Sequence, residues 1–253
     1  MSGIRTWSDG PVARIAMARP EKRNAQDEAM LRALDEAFSA AVEDDAVRVI
    51  VLSGDGPHFC SGHDLSAIPP AAEEGTEAWL AWEERHYLGF HRRWRDLPKP
   101  TIAMVQGACI AGGLMTAWIC DLIVAATDAR FADPVVAMGM NGHEWFVHPW
   151  ELGARKAKEL LFTAEPIGAE DALRLGMVNH VVPAEELEAF TLDLAQRIAR
   201  HDPLALRLAK RSVNQALDAQ GQAQAIDHAF AIHHLGHTHH RATSGSLIAR
   251  KNG

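Results

Sequence analysis

The chain has 253 residues, 47% hydrophobic and only 6% aromatic, which is enough for one large domain with a full core. Its formal charge of -8 excludes the basic footprint of a nucleic-acid binder or of a protein held electrostatically on an anionic membrane surface. An anionic ligand must therefore be met by local cations and backbone amides. The first residues, Met-Ser-Gly-Ile-Arg-Thr-Trp, contain no apolar signal segment, and the three cysteines, Cys60, Cys109 and Cys120, sit in apolar or glycine-rich surroundings. Both features fit reduced thiols in the cytoplasm better than a disulfide framework.

Taken in order, Val12 to Met17 reads as a strand, followed by a loop through Arg19-Pro20-Glu21-Lys22-Arg23-Asn24-Ala25. Asp27 is placed to cap a helix whose apolar positions are Met30, Leu34, Phe38 and Ala41. Val47 to Leu52 is an apolar β-type run that leads through Ser53-Gly54-Asp55-Gly56-Pro57 into Phe59-Cys60-Ser61-Gly62-His63-Asp64-Leu65. Ser66 to Thr76 has little periodicity and reads as a mobile loop. A helix carrying Trp79, Trp82, His86, Phe90 and Trp94 runs on to Pro98, and its aromatic stripe is expected to pack against the body rather than to bind a ligand.

Ile102 to Cys120 is 19 residues without a charge, long enough to be mistaken for a membrane span. Gln106, Gly107, Gly112 and Gly113 interrupt it, so it reads as a buried strand (Thr101 to Val105), a turn and a buried helix that begins at Gly112-Gly113. Leu122 to Ala126 is the next strand. Beyond it come helices over Glu151 to Thr163 and Ala169 to Leu175, a strand over Val178 to Val182, and further helices from Ala184 onward, one with Pro203 in its first turn. Two glycine turns about 50 residues apart, each following a strand, can aim two backbone N–H groups at one acyl oxygen, as an oxyanion hole requires.

The pair Phe59-Cys60-Ser61-Gly62-His63-Asp64-Leu65 and Gly107-Ala108-Cys109-Ile110-Ala111-Gly112-Gly113 is followed by Cys120-Asp121-Leu122-Ile123-Val124-Ala125-Ala126 and Phe131-Ala132-Asp133-Pro134. This ordered set resembles the crotonase superfamily, the enoyl-CoA hydratase/isomerase family, from about Val12 to the C-terminus. The resemblance implies an α/β fold, a crotonase-like spiral of ββα repeats over 1–195, with a C-terminal helical region over 196–253 that covers the site and makes trimer contacts. It implies a homotrimer or a dimer of trimers, with a coenzyme A thioester as substrate and neither metal nor further cofactor. The backbone N–H groups of His63 and Gly112 take the oxyanion-donor places. Lys22 and Arg23 are the cations available to the nucleotide, Ala25 lies in the adenine-side loop, and Ser61, Asp64 and Leu65 line the channel. The imidazole of His63 is expected to fill space or orient the loop, since the family role there uses only the backbone.

The chain departs from that pattern where the hydratases carry their two acids: the places hold Met115 and Val135. Neither side chain can position or deprotonate water. The candidate replacement is Glu144, with His143 beside it, in Gly139-Met140-Asn141-Gly142-His143-Glu144-Trp145, where isomerases of the family place a single acid. One-acid proton transfer is thus favoured over hydration. A non-catalytic acyl-CoA-binding protein and an acyl-CoA hydrolase using Glu144 or His143 are the alternatives. The C-terminal histidines include an i, i+4 pair, His233 and His237, with His234 between them. No Cys or Glu nearby completes a ligand motif, so they read as one face of an amphipathic helix at a lid or subunit contact.

Overall fold

The computed structural model describes residues 3–67 and 69–245. Their strands are β1 (Ile4–Asp9), β2 (Val12–Met17), β3 (Val49–Gly54), β4 (Thr101–Val105), β5 (Ala108–Ile110), β6 (Leu122–Ala126), β7 (Arg130–Ala132), β8 (Ile167–Gly168) and β9 (His180–Val182). The helices are α1 (Glu28–Glu43), α2 (Ala71–Glu74), α3 (Thr76–Glu83), α4 (Phe90–Arg95), α5 (Gly112–Trp118), α6 (His148–Thr163), α7 (Ala169–Leu175), α8 (Leu187–Ala199), α9 (Pro203–Ala219) and α10 (Gln222–Ser244). None is long and apolar enough to cross a membrane.

The larger sheet has the order β1-β2-β3-β4-β6-β9, with an antiparallel β1/β2 hairpin and parallel pairs from β2 onward. Both faces are buried, so alternate residues of one strand serve two cores: Ile50 and Leu52 of β3 face one cluster, while Val49 and Val51 face another, closed by Leu187, Leu194 and Ala195 of α8. The division expected after residue 195 therefore falls inside α8, a helix that packs on the sheet. The smaller sheet is β5-β7-β8, and two isolated bridges, Gln26 with His63 and Cys60 with Cys109, continue its row on the β5 side. After β2, β3, β4 and β6 in turn, the chain donates an extended segment to this second row before the next helix. That repetition is the spiral of ββα units, and it distinguishes the fold from a doubly wound sheet, which has a single layer of strands.

Local chemistry sets the element ends. Asp27 caps α1 by accepting from the Met30 N–H at 2.9 Å, and Asp202 caps α9 in the same way, from Ala205 at 2.8 Å, with Pro203 at the first helical position. β3 begins two residues later than the apolar run, because the Val47 N–H closes a turn on the Asp44 carbonyl at 3.0 Å. The segment after residue 66, read as a loop, holds α2 and the first turn of α3. The long aromatic helix is broken: α3 passes through a π-helical stretch, Glu84–Gly89, into α4. Such widened turns displace the side chains after them, here Tyr87 and His91, relative to a regular helix.

The three cysteines are buried free thiols, and burial raises the pKa of each. Cys60 marks a close backbone approach between the two glycine turns. A Cβ on Gly113 would lie 2.4 Å from the Cys60 carbonyl oxygen and 2.8 Å from the Cys60 Cβ. Gly113→Ala is expected to cost about 1–3 kcal/mol by overpacking against a backbone atom that cannot turn aside. A lowered denaturant midpoint, with an unchanged m-value, is the result that checks it.

Candidate active site

The two glycine turns lie side by side because the strands that precede them are hydrogen-bonded. The Phe59 N–H donates to the Gln106 carbonyl at 2.8 Å, Cys60 to Ala108 at 3.0 Å, and Ile110 back to Cys60 at 3.0 Å. One step further along, Gln26 donates to the Gly62 carbonyl and Asp64 to that of Gln26, both at 2.8 Å. His63 and Gly112 thus end neighbouring segments of one row. A Cβ built on Gly62 would sit 3.5 Å from the Gly112 nitrogen, and one on Gly112 would sit 2.6 Å from Cε1 of His63.

Among the described residues, neither the His63 nor the Gly112 N–H donates to a backbone carbonyl. Gly112 opens α5, where an N–H has no intrahelical acceptor and the helix dipole favours negative charge. The residue before it, Ala111, holds φ 47° and ψ -113°, outside the regions an L-residue ordinarily occupies. Strain of this kind is retained only where the surroundings fix it. Here the Ala111 N–H donates to the Ala132 carbonyl at 2.8 Å and its carbonyl accepts from Met115 at 2.9 Å. A buried chain backs the first turn of α5: Gln26 Nε2 donates to Thr116 Oγ1 at 2.8 Å, and Thr116 Oγ1 lies 3.1 Å from His91 Nε2 and 2.8 Å from the Gly112 carbonyl. His91 Nδ1 sits 2.6 Å from the Tyr87 carbonyl, so it carries the hydrogen. Burial pushes the His91 pKa down to about 3, which leaves Nε2 an acceptor that shares the single Thr116 hydroxyl hydrogen with the Gly112 carbonyl.

A cavity of about 390 Å³ opens beside the turns. His63, Ala111 and Glu144 line it together with Val135, Trp79 and Tyr87. Glu144 is buried at 3% exposure, with Oε2 3.4 Å from His63 Nε2 and Oε1 3.9 Å from His233 Nε2. Burial works against its charge, but the imidazoles of His63 and His233 outweigh that and hold its pKa below the usual carboxylate range. The His63 ring lies flat on Tyr87, centroids 3.8 Å apart, and so presents its Nε2 edge to Glu144. Asp133 fixes the loop that delivers Glu144. Fully buried, it accepts from the His143 N–H at 2.9 Å and meets His148 Nε2 at 2.8 Å. Burial opposes its charge, but these partners hold its pKa down at about 2.

His143 is placed differently from its neighbour. Its ring packs against Trp118 and His148, neither ring nitrogen has a hydrogen-bond partner among the described residues, and it is not among the residues lining the cavity. Of the two hydratase positions, Val135 lines the cavity while Met115 is fully buried in the core. Arg23, Ser61, Asp64 and Leu65 line the same cavity. Lys22 instead holds Asp64 (3.0 Å) and Ser66 (3.1 Å), and Ala25 contributes its carbonyl to Arg19. Arg19 also binds Asp27 and Asp64, a role with no signal in the sequence beyond a conspicuous charge in a loop.

One sequence reading is refined and one corrected here. The aromatic stripe packs against the body, with Phe90 and Trp94 in the core and Trp82 against it, but Trp79 and Trp82 also line the cavity. In sequence the C-terminal histidines read as having no Cys or Glu to complete a ligand set, but His233, His234 and His237 are buried, two of them line the cavity, and a glutamate does meet them. That glutamate is Glu83, at the end of α3, 2.9 Å from His234 Nε2 and 3.4 Å from His237 Nε2. It was missed because it lies about 150 residues away in sequence.

The fold and the paired turns define the crotonase class. The sequence profile of the Enoyl-CoA hydratase/isomerase family matches residues 8–249, and the chain belongs to that family of enzymes. It is 44% identical over 263 aligned positions to EchA13 of Mycobacterium tuberculosis, provisionally named an enoyl-CoA hydratase, covering 96% of this chain and 83% of that protein. A probable enoyl-CoA hydratase from Mycobacterium smegmatis, known by crystal structure, superposes with a TM-score of 0.94 at 48% identity, over 98% of this chain and all of that one. An enoyl-CoA hydratase/isomerase from Xanthobacter autotrophicus Py2 superposes with a TM-score of 0.85 at 33% identity, over 96% and 94% of the two chains.

Burial of neutral histidines sets a pH limit on this arrangement. His91 and His143 both have pKa values pushed from 6.5 to about 3, so the unfolded chain takes up protons that the folded one refuses. Their contribution is fully present above pH 6.5 and is lost as pH falls from there toward 3, by roughly 1.4 kcal/mol per pH unit for each ring. His143→Phe, which removes two unpartnered nitrogens, is expected to flatten the stability profile between pH 6 and 4.5 by one proton's worth. Denaturant midpoints across that window check it; an unchanged slope would contradict the assignment.

Proposed function

We propose that the protein binds an acyl-CoA thioester in the 390 Å³ cavity and moves a proton on its acyl chain, with Glu144 as the base. The observation that carries this reading is the buried, ionised Glu144 held against His63 beside two unengaged turn amides. In the proposed step the Glu144 carboxylate takes a proton from the carbon next to the thioester carbonyl. The electron pair moves onto the carbonyl oxygen, where the N–H groups of His63 and Gly112 receive the developing charge. Each such donor contributes about 3 kcal/mol in measured cases. Once the Glu144 proton has exchanged with solvent, its return to the same carbon gives α-exchange, and return two carbons along an unsaturated chain shifts the double bond. His63 Nε2, in contact with the base, orients it and keeps it charged until substrate arrives.

The nucleotide end falls to Arg23, which lines the cavity and has no ion-pair partner among the described residues, whereas Lys22 is occupied by Asp64. Self-association, as a trimer or a pair of trimers, is supported by α9, whose Leu204, Leu208 and Val213 are exposed and which buries no residue within one chain.

Incubation of a saturated acyl-CoA with the enzyme in D2O should exchange the α-protons. Glu144→Gln is expected to slow exchange by roughly 10²–10⁴-fold while leaving the acyl-CoA dissociation constant within about threefold. Exchange that persists at the full rate in this variant removes Glu144 from the mechanism. Arg23→Ala should weaken acyl-CoA binding at low salt and lose most of that effect at high salt. Isothermal titration at two ionic strengths distinguishes this from a packing defect, which salt would not relieve.

A further inference from the structure

The wall of the cavity formed by α3 and α10 carries a second constellation, separate from the paired turns. His233 and His237 are one turn apart on α10, and their Nε2 atoms are 3.0 Å apart. Glu83 approaches from α3, with Oε1 3.4 Å from His237 Nε2 and Oε2 3.8 Å from His233 Nε2. All three side chains are buried and all three line the cavity. The ligand atoms lie within 4.8 Å of one another. Ligands about 2.0–2.1 Å from a tetrahedral metal are separated by about 3.4 Å, so these three atoms approximate one face of that tetrahedron.

Two further observations point to a ligand at this place. Glu83 Oε2 is buried without a hydrogen-bond partner among the described residues; His234 Nε2 comes to 2.9 Å but off the bonding direction. His233 Nδ1 lies 2.8 Å from the Gly142 carbonyl, which fixes its hydrogen on Nδ1 and turns the Nε2 lone pair toward His237 and Glu83. That outer hydrogen bond to a carbonyl is the arrangement by which metal-binding histidines are held in their tautomer. The charge balance agrees: Glu83 and Glu144 are both buried, and a divalent cation would offset both carboxylates at once.

From this geometry we propose that Glu83, His233 and His237 bind a divalent transition metal, Zn2+ in the first instance, with its fourth position open to the acyl cavity. Two imidazoles and one carboxylate with an open position form a donor set used by catalytic zinc and, with other geometry, by iron(II). A hard ion such as Mg2+ or Ca2+, which prefers oxygen ligands, is disfavoured by the two nitrogens. Binding of the metal needs no acyl-CoA, so the proposal stands or falls independently of the proton-transfer reading.

The test uses the full-length chain without a histidine tag, stripped with a chelator, equilibrated with Zn2+ at low micromolar concentration and dialysed. Elemental analysis is expected to find one Zn2+ per chain in the wild type and in His239→Asn, which alters an exposed histidine of the same helix. Glu83→Gln and His237→Asn should bind roughly 100-fold more weakly or not at all, with their circular dichroism unchanged. Co2+ loaded into the wild type should give the intense visible d–d bands of a four-coordinate site, a readout that needs no variant to fold. Zn2+ should also raise the wild-type melting temperature and leave that of Glu83→Gln unmoved. No retained Zn2+ in the wild type would overturn the proposal and leave the two rings sharing a proton. Full retention by Glu83→Gln would also overturn it, placing the ion elsewhere, as at the buried Asp133, His143 and His148 cluster. A weak six-coordinate Co2+ spectrum would count against it in the same way.

Discussion

The backbone pairing of residues 59–60 with 106–110 is the constraint on which the site depends. Its three hydrogen bonds, between 2.8 and 3.0 Å, fix two turns that are otherwise about 50 residues apart. Because the pairing is parallel, both segments reach their glycines on the same side of the row, and the turns leave together. A one-residue slip would carry His63 past Gly112 and put side chains where amides now stand. The absence of a Cβ at Gly113 is what permits the close approach, since the Cys60 carbonyl occupies the space a methyl group would need.

Second in importance is what holds the turns in their strained form. Ala111 cannot be retained at positive φ by local preference; its N–H is held by the Ala132 carbonyl and its carbonyl by the Met115 N–H, and the α5 turn that follows it is backed by Gln26, Thr116 and His91. His91 is available to this chain because the π-helical stretch before α4 displaces it from the register of a regular helix. The neutral state of His91 is therefore coupled to the geometry of the α5 start. Polar burial that looks unfavourable at one residue supports the backbone of another.

What was legible in the sequence follows from the range of the interactions involved. Strands β2, β3, β4 and β6, the Asp27 cap and the glycine turns are written in periods and short motifs, and their order carried the family and its spiral. Glu144 was legible as a carboxylate in a loop that had lost the usual acids. Its contact with His63 was not, because 81 residues separate them and nothing local marks the meeting. The same holds for Glu83 and the α10 histidines. An i, i+4 pair of histidines on a helix reads as surface until the helix is docked, and only then does the face they occupy become the inside of a cavity. The break of the aromatic helix was illegible for a different reason: no proline or glycine pair marks it, and a widened turn changes which side chains point inward without changing the apolar period.

If Met115 and Val135 stand where the resemblance puts the hydratase acids, more than the count of carboxylates is altered. Acids carried on the turns would be positioned by the same strand pairing that aligns the amides. Here the cavity carboxylates come from elsewhere: Glu144 from a loop anchored on the buried Asp133, and Glu83 from α3, where it meets three histidines of α10. The amides are thus fixed by the core of the spiral, while the cavity carboxylates are fixed by the Asp133-anchored loop and by packing of α3 against α10. Any movement of α10 relative to α3 would change the charge environment of Glu144 through His233 while leaving the amides in place. On the proposed reading, binding of the acyl oxygen and transfer of the proton are separable functions of two different layers, so the reaction can diverge through changes in the covering elements without disturbing the turns.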